Sequence, residues 1–584
     1  MPPVAILAIL SIAVPWLGAV LVWLARDTRP RLQHTLAVTF ALGGGVAACA
    51  MIPRATSASV LEVPLGRAFG ALTFLPDGLA VFLAVVATVI GSLAVIFSVD
   101  YMRGEKQLGR YYANVLFFIG SMVGLVLSSN LLLIFVFWEI TALCSYALIS
   151  FYNDDPKAVA AGIKALVITQ VGGIGLLAGA LFLYVYQGSY DVPTFLAGTT
   201  KLPANVLALM AFGFLVAAAA KSAQFPFQTW LPDAMEAPTP VSALIHAATM
   251  VNAGVYLLAR FYPAFEQVSH WKLAVVAVGA VTALMAAVMA IVSNDLKRVL
   301  AYSTVSQLGY MVYAIGAGGI FASQFHLLSH AVFKALLFLS AGAVIHAAHT
   351  RDMREMGGLG RQMPLVRIVM VVGGLALAGI PVLNGFWSKE LVLEAGHAGG
   401  PMWAWLVMLV GAGLTALYTC RFLSMVFWGE PRSGRHVHDA GPAMKVALVP
   451  LALGTLTTWL LAGEFWHFLG RALPEGREAE STGALLTKIA TEPATLAALA
   501  VVALGLTAWW QRARLAGVAR TLRGVGSMAS NSFGFEAINR GVVRATVESA
   551  EALRTTHSGV LNWNILAILA GLVVILAILA VGGA

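Results

Sequence analysis

The chain has 584 residues, of which 59% are hydrophobic and only 11% are charged. Soluble domains average about 25% charged residues, so this composition excludes a soluble globular protein and an intrinsically disordered one. The net charge of +9 comes from basic residues in short loops between apolar runs, which indicates a membrane protein and no nucleic-acid partner. Cys49, Cys144 and Cys420 lie far apart in apolar stretches, without metal-ligand spacing. They exclude a disulfide framework and predict no cofactor in this chain.

Apolar runs of about 20 residues recur along the chain, and each is long enough to cross a bilayer as a helix. Because lipid cannot satisfy an open backbone, we predict an all-α integral membrane protein with about 16 transmembrane helices. The first run lacks a basic segment and a cleavage site, so it is predicted to be a retained span and not a signal peptide. The predicted spans are residues 4–25, 33–52, 78–99, 112–129, 130–151, 161–186, 204–222, 241–260, 272–292, 299–316, 320–346, 367–395, 402–428, 446–468, 493–511 and 562–582.

Basic residues in the loops orient these spans, because internal loops of membrane proteins are rich in Lys and Arg. With the N-terminus outside, most of the basic residues fall in internal loops, and both termini are external. The loops concerned include residues 26–31, 103–110, 297–298, 351–367, 432–445 and 512–554.

Two spans contain helix breakers at membrane depth. One break follows Lys221, in residues 224–232 and 237–240, and the other precedes Lys389, in Gly379-Ile-Pro381. Proline removes a backbone donor and clashes with the preceding turn, so both helices are predicted to be discontinuous. Paired interrupted spans are typical of inverted-repeat transporters, and ordinary kinks are the alternative. The predicted organisation is N-terminal helices over 1–111, inverted repeats over 112–260 and 272–428, C-terminal helices over 429–512, and a lateral helix with a final span over 513–584.

The segment 513–561 differs from the spans because it is basic and punctuated by Gly and Ser. Its apolar and charged positions alternate near helical spacing, which predicts an amphipathic helix along the internal membrane face. The Gly, Ser and Asn residues around 524–534 favour a helix shorter than the whole segment.

Three ionisable residues lie within three different predicted spans, where a charge costs about 2.5–3.5 kcal/mol on insertion scales. Glu139 lies mid-span, Lys221 ends a run of alanines, and His246 lies in an apolar stretch. Glu139 and Lys221 have opposite charges, so we predict that they pair directly or through water and act as a switch for the lysine proton. A purely structural ion pair is the alternative.

A second group of ionisable residues lies on one predicted helix. His326, His330 and Lys334 follow i, i+4, i+8 spacing and share a helix face. An apolar helix has no packing reason for this stripe, and histidine titrates near neutral pH, so the stripe is suited to transferring protons. Core histidines bonded to neighbouring helices are the alternative. A zinc site is not predicted, because the glutamate of a metalloprotease motif is absent. Lys389, with Glu390 beside it, lies next to the second break.

Long motifs surround these residues. They resemble the antiporter-like membrane subunits of proton-pumping NADH:quinone oxidoreductase (complex I) and the related Mrp cation/proton antiporters. The chain is most similar to the subunit L or chain 5 type, in which the second broken helix carries a lysine and a lateral helix precedes the last span. The motifs are Leu131-Leu-Leu-Ile-Phe-Val-Phe-Trp-Glu139, Ala220-Lys-Ser-Ala-Gln224, Trp230-Leu-Pro-Asp-Ala-Met-Glu-Ala-Pro-Thr-Pro-Val-Ser242, Leu244-Ile-His-Ala-Ala-Thr-Met250, Asp295-Leu-Lys-Arg-Val-Leu-Ala-Tyr-Ser303, His330-Ala-Val-Phe-Lys-Ala-Leu-Leu-Phe338 and Asn384-Gly-Phe-Trp-Ser-Lys389.

The resemblance implies a proton-translocating, non-redox subunit of a respiratory complex in the inner membrane of a prokaryote. Its partners would be other membrane subunits and the lipid bilayer, with quinone and redox cofactors held by subunits that act on it indirectly. The alternatives are a subunit of a Mrp-type sodium/proton antiporter, of a membrane-bound hydrogenase or of a bicarbonate-uptake complex, a stand-alone antiporter, and a membrane scaffold that has lost pumping. The implied relay consists of the coupled pair Glu139 and Lys221, the central residues His246, His330 and Lys334, and the terminal carrier Lys389.

Overall fold

The computed structural model describes residues 2–66, 68–198, 202–432, 437–470 and 480–556, and this part of the chain is mostly helical. Among the described residues, 13 helices are long and apolar enough to cross a membrane, and a shorter apolar helix lies at Pro364–Ala378. These helices confirm the prediction of an all-helical, multi-pass membrane protein. The last predicted span, 562–582, lies outside the described residues.

Up to the first helix break, the described residues form eight α-helices and one β-hairpin. Their bounds agree with the first seven predicted spans to within a few residues. The elements are α1 (Pro3–Leu24), α2 (Pro30–Met51), β1 (Val60–Pro64), β2 (Ala71–Phe74), α3 (Gly78–Tyr101), α4 (Leu108–Leu127), α5 (Leu131–Ile149), α6 (Pro156–Gln187), α7 (Val192–Ala197) and α8 (Ala204–Lys221).

The hairpin in the connection between α2 and α3 was not predicted, because its strands are too short for a clear alternation of apolar and polar residues. Its strands are antiparallel, and Pro64 pairs with Ala71. The side-chain amide of Asn130 donates to the carbonyl oxygens of Phe69 and Ala71, at 3.0 and 2.9 Å. Asn130 also caps α5, so one side chain ties the hairpin to the start of the helix that carries Glu139.

Beyond the first break, further helices follow, with a π-helical turn at Leu244–Ala248. Short 3-10 turns lie at Ala234–Glu236, Leu359–Arg361, Thr458–Leu461 and Ser532–Gly534. The α-helices are α9 (Trp230–Asp233), α10 (Thr239–Ala243), α11 (Asn252–Phe265), α12 (Trp271–Val292), α13 (Leu296–Gly316), α14 (Ile320–Ala348), α15 (Pro364–Ala378), α16 (Asn384–Gly399), α17 (Met402–Phe427), α18 (Pro442–Thr457), α19 (Ala462–Leu469), α20 (Thr482–Thr491), α21 (Pro493–Trp510), α22 (Ala516–Thr521), α23 (Arg523–Ser530) and α24 (Phe535–Thr556).

The most buried helices are α13 and α14. Every residue of α13 from Val299 to Gly316 is buried. Because protein and not lipid surrounds α13, it carries the polar residues Ser303, Ser306 and Gln307 in mid-helix. These residues explain why α13 is not among the 13 apolar helices, although it corresponds to the predicted span 299–316.

Glycines allow the helices to approach closely. A Cβ atom added to Gly175 of α6 would lie 2.3 Å from the carbonyl oxygen of Gly213 in α8. A Cβ atom at Gly279 of α12 would lie 2.5 Å from the backbone nitrogen of Tyr313 in α13. Small residues at helix contacts therefore replace the hydrophobic driving force that is absent between helices in lipid.

The chain forms two compact units, Met1–Gly526 and Ser527–Ala584. The second unit contains α24, whose apolar residues are exposed and alternate with charged ones. As the Gly, Ser and Asn residues indicated, the helical segment is interrupted, and Phe533 has a left-handed conformation (φ 51°) just before α24. The exposed apolar residues are Ile538, Val542, Val543, Val547 and Leu553.

Candidate functional site

The first break places Lys221 at the end of a helix inside the protein. Lys221 is the last residue of α8 and is fully buried. The chain then leaves the helix, and Ala223 takes a left-handed conformation (φ 51°). The Lys221 Nζ donates to the carbonyl oxygen of Trp138 at 2.7 Å and lies 4.8 Å from the centre of the Trp138 ring. The lysine is therefore anchored by a backbone carbonyl and an aromatic face of α5.

Glu139 follows Trp138 in α5, so it lies close to Lys221 without pairing directly with it. Its two carboxylate oxygens are buried and lie near the side chain of Gln170 in α6, without a hydrogen bond of good geometry to any described residue. The Oε1 atom faces α6, where a Cβ atom at Gly173 would lie only 2.3 Å away. The glycine at position 173 therefore provides the space that the carboxylate occupies.

His246 lies in the π-helical turn that follows the second proline cluster. The wider turn is supported by two side chains, because Thr249 donates to the carbonyl of Leu244 at 2.6 Å and Asn252 donates to that of Ala247 at 2.9 Å. The His246 ring is fully buried, and neither ring nitrogen has a hydrogen-bond partner among the described residues. Single π-helical turns are frequent at functional sites.

The predicted stripe of His326, His330 and Lys334 lies on α14, and all three residues are fully buried. The Lys334 Nζ donates to the carbonyl of Leu300 at 2.9 Å and to the hydroxyl of Ser303. His330 has no hydrogen-bond partner for either nitrogen within the described part of the chain. An imidazole whose ring nitrogens have no protein partner is suited to exchanging protons with water molecules.

His326 connects three helices. Its Nδ1 atom lies 3.0 Å from the Ser388 hydroxyl of α16, and its Nε2 atom lies 3.1 Å from the side-chain oxygen of Gln307 in α13. The alternative of a histidine bonded to neighbouring helices therefore fits His326. It does not fit His330.

The second break separates α15 from α16 and positions Lys389. Gly379 and Val382 have left-handed conformations, with φ of 84° and 78°. The Lys389 Nζ donates to the carbonyl oxygen of Leu377 at 2.9 Å, in the last turn of α15. The last carbonyls of a helix lack intrahelical donors, so the Leu377 carbonyl is available to accept this hydrogen bond.

Side-chain contacts link these positions into one buried line within the first unit. Trp230 donates to the Ala220 carbonyl at 2.9 Å, and its ring centre lies 6.5 Å from that of His246. Phe338 lies between His246 and Lys334, 5.6 Å from the imidazole centre and 5.5 Å from the lysine Nζ. The line continues through rings 6.4 Å apart at His330 and His326, and then through Ser388 to Lys389. The structure thus brings the six predicted site residues together.

Two further ionisable residues belong to this region and were not among the predicted site residues. Lys297 is buried, and its Nζ donates to the carbonyl of Ala237 at 2.6 Å. Glu390 is buried beside Lys389, with its Oε2 atom unpartnered among the described residues. Lys297 was predicted to lie in an internal loop with Arg298, whereas the structure places it, buried, in the first turn of α13.

No group of three or more His, Cys, Asp and Glu side chains in the described ranges is arranged to hold a metal ion. The six predicted site residues carry Glu, Lys and His side chains, which are able to donate and accept protons.

Two family models match the chain. Residues 128–415 match the transmembrane region of NADH:quinone oxidoreductase and Mrp antiporters, and residues 70–112 match the N-terminus of complex I chain 5. The first match includes all six predicted site residues and both helix breaks. The resemblance proposed from the motifs is thereby confirmed.

Similar proteins carry corresponding names. NADH-quinone oxidoreductase subunit L of Rhodobacter capsulatus is 42% identical over 424 residues, which are 67% of this chain and 59% of that protein. Subunit L of Escherichia coli is 38% identical over 542 residues, 86% of each chain. The alignment thus spans less than two thirds of the first relative and most of the second.

Two solved structures have the same fold. The Mrp complex of Dietzia sp. DQ12-45-1b matches with a TM-score of 0.85 and 31% identity, over 98% of this chain and 63% of that one. The archaeal membrane-bound sulfane sulfur reductase matches with a TM-score of 0.72 and 25% identity, over 82% of this chain and 99% of that one.

Proposed function

Because this chain belongs to the family of NADH:quinone oxidoreductase and Mrp antiporter membrane subunits, we propose that it is a proton-translocating subunit of a respiratory NADH:quinone oxidoreductase-type complex. The observation that carries the proposal is the line of buried ionisable side chains from Lys221 to Lys389, with the half-buried Glu139 beside its first member. Charges inside a membrane protein are expensive to bury, and they commonly mark ion pathways.

Lys221 and Glu139 form the entrance switch of the proposed relay. Lys221 is held by the Trp138 carbonyl, and the Glu139 carboxylate remains without a direct partner. A negative charge on Glu139 favours the protonated lysine, whereas neutralising or displacing that carboxylate favours proton release. A movement of α5 or α6 driven by a neighbouring subunit would therefore control the proton on Lys221.

The central part of the relay runs through His246, His330 and Lys334. The two imidazoles have ring nitrogens without protein partners among the described residues, so water molecules would complete their hydrogen bonds. Proton transfer along such a line needs only a hop between side chain and water at each step. We assign His326 and Ser388 the connection to Lys389, because their atoms lie within hydrogen-bond distance.

The final carrier is Lys389, and a cavity near the end of α16 is its proposed exit. The cavity measures about 230 Å³ and is lined by Glu394 and Lys488, which form an ion pair at 2.7 Å. Glu390 and Glu394 are one helical turn apart on α16, so they share a face that leads from Lys389 to this cavity. The cavity lies on the predicted external side.

The wider arrangement is part of the same proposal. The core consists of two inverted repeats, 112–260 and 272–428, and each contains one of the two helix breaks. Both termini are external, and α24 lies along the internal membrane face. Other membrane subunits of the complex would flank this chain in the inner membrane, and redox subunits would supply energy without placing a cofactor in it.

A Mrp-type sodium/proton antiporter subunit is the second candidate function. The observation in its favour is the match to the Mrp complex over 98% of this chain, at a TM-score of 0.85. Both candidates use the same buried line, and they differ in the energy source.

Reconstitution of the tagged complex in proteoliposomes tests the two functions. Internal acidification is followed with a pH-sensitive dye, once with an electron donor and quinone and once with an imposed sodium gradient. The first proposal expects acidification with quinone reduction in the absence of sodium, and the second expects it only with the sodium gradient. The Lys221→Met variant should abolish the signal in either case, and a wild-type signal in that variant contradicts the proposed relay.

A further inference from the structure

A basic pocket lies away from the buried line, where α2 begins, α3 ends and α4 begins. Its volume is about 670 Å³. Its polar wall contains Arg31, His34 and Arg103, and its apolar wall contains Val99 and Leu108. A cationic wall facing an apolar wall at the ends of membrane helices has the chemistry of a phospholipid headgroup site.

The positive charge of this pocket is not neutralised by its neighbours. Arg31 forms no ion pair within the described part of the chain, and Arg103 has one contact with Asp100, at 3.2 Å, with its side chain 78% exposed. The other Asp100 oxygen accepts from the backbone of Ala443 at 2.7 Å, at the start of α18. This carboxylate is therefore shared with a helix N-terminus.

The second nearby carboxylate is also committed elsewhere. Asp27 accepts from the backbone of Gly109 at 2.8 Å and from the side chain of Gln33 at 3.1 Å. The first contact holds the α1–α2 connection against the start of α4, and the second ties this connection to α2. Neither nearby carboxylate pairs with Arg31.

His34 is fixed in the pocket wall. Its Nδ1 atom lies 2.7 Å from the hydroxyl of Tyr112, which orients the ring and leaves the Nε2 atom for another partner. The first backbone amides of α2, at Arg31 and Leu32, have no acceptor within the helix and add positive potential on the same side.

An exposed stripe on α2 extends from the pocket along the membrane-spanning part of the helix. Thr35 lines the pocket, and Thr39, Leu42 and Val46 follow it at helical spacing, all exposed. Val46 is 70% exposed. An acyl chain attached to a headgroup in the pocket would lie on this stripe, whereas a free anion would leave it uncovered.

We propose that this pocket binds the phosphate of an anionic phospholipid between Arg31 and Arg103, with one acyl chain along the exposed stripe of α2. The inference is independent of the proton relay, because it shares no residue with it. A lipid held there would fix the α1–α2 and α3–α4 connections to each other.

Native mass spectrometry of the purified full chain in detergent tests the proposal. The chain is stripped of lipid and then offered phosphatidylglycerol, phosphatidylcholine or inorganic phosphate. We expect phosphatidylglycerol to be retained, phosphatidylcholine not to be, and excess inorganic phosphate not to displace the lipid. Retention should fall about fivefold for Arg31→Gln or Arg103→Gln alone and about thirtyfold for both.

Two further variants keep the test decisive. Thr35→Trp fills the pocket at an exposed position without changing the charge, and it should also lose the lipid. This variant provides the test if the double arginine variant does not fold. Arg361→Gln removes an exposed arginine outside the pocket and should retain the lipid. The proposal is overturned if the folded double variant or Thr35→Trp retains the lipid as the wild type does. It is also overturned if phosphatidylcholine is retained equally well, or if Arg361→Gln loses the lipid. Displacement of the lipid by phosphate would indicate a free-anion site instead. If the arginine variants lose a co-purifying subunit while lipid retention is unchanged, the pocket is a protein contact and the proposal is overturned.

Discussion

Lys389 donates a hydrogen bond to the carbonyl oxygen of Leu377, 2.9 Å away, across the break between α15 and α16. Lys221, beside the other break, likewise donates to a backbone carbonyl, that of Trp138. In both cases the lysine is anchored by backbone and not by a carboxylate. A neutral acceptor holds the lysine in place without fixing its charge, so protonation remains free to respond to nearby groups.

Lys389→Ala should stop proton release, because alanine removes the terminal carrier and leaves the Leu377 carbonyl without its donor. Lys389→Glu should keep part of the activity, since a carboxylate also carries a proton. The measurement is proton uptake by proteoliposomes containing the assembled complex. Lys445→Ala, at an exposed lysine near the start of α18, is the control and should pump normally. Normal pumping in Lys389→Ala would show that the terminal carrier has been assigned to the wrong residue.

The position of Glu139 can be tested without changing any charged residue. In Gly173→Ala the new Cβ atom would lie 2.3 Å from the Glu139 Oε1 atom, so the carboxylate must move. We expect reduced pumping with normal assembly. Gly483→Ala is the matched control, because a Cβ atom there meets nothing within 4 Å. If Gly173→Ala pumps at the wild-type rate, the exact placement of the carboxylate does not matter for the switch.

The sequence indicated both breaks because their causes are local: proline cannot donate a backbone hydrogen bond wherever it occurs. The π-helical turn at His246 was not indicated, because it depends on hydrogen bonds from Thr249 and Asn252. The burial of Lys297 was not indicated either, since it depends on the distant carbonyl of Ala237. Features with local causes, such as the helix breaks, could therefore be predicted from the sequence. Features that depend on tertiary contacts, such as the π-helical turn, required the structure.

His326 should be required for a normal pumping rate, because it connects α14 to the region of Lys389. It joins Gln307 and Ser388, and it is the only link from α14 to the Lys389 region that the proposed route uses. His326→Ala should lower the pumping rate by roughly tenfold or more, on the scale of losing a positioned proton donor. Ser340→Ala, at a buried residue of the same helix, is the control. Equal rates in the two variants would remove His326 from the route.

The buried pair of Arg260 and Asp77 should affect stability and not pumping. The two side chains are 6% and 7% exposed, and one guanidinium nitrogen lies 2.8 Å from a carboxylate oxygen. Asp77 also caps α3 through the backbone of Ala80, so the pair fixes the start of α3 to α11.

Arg260→Met should leave the Asp77 charge buried without its partner, at a cost of about 3–5 kcal/mol in the free energy of unfolding. The expected result is a lower unfolding temperature and less folded protein, with an unchanged pumping rate per assembled complex. The double variant Arg260→Met with Asp77→Asn removes both charges and should recover part of the stability, because asparagine still accepts the cap hydrogen bond from Ala80. Thermal unfolding of the detergent-solubilised chain, followed beside the proteoliposome assay, measures both effects. A loss of pumping in correctly assembled Arg260→Met would mean that this ion pair, although it lies outside the proposed relay, takes part in transport.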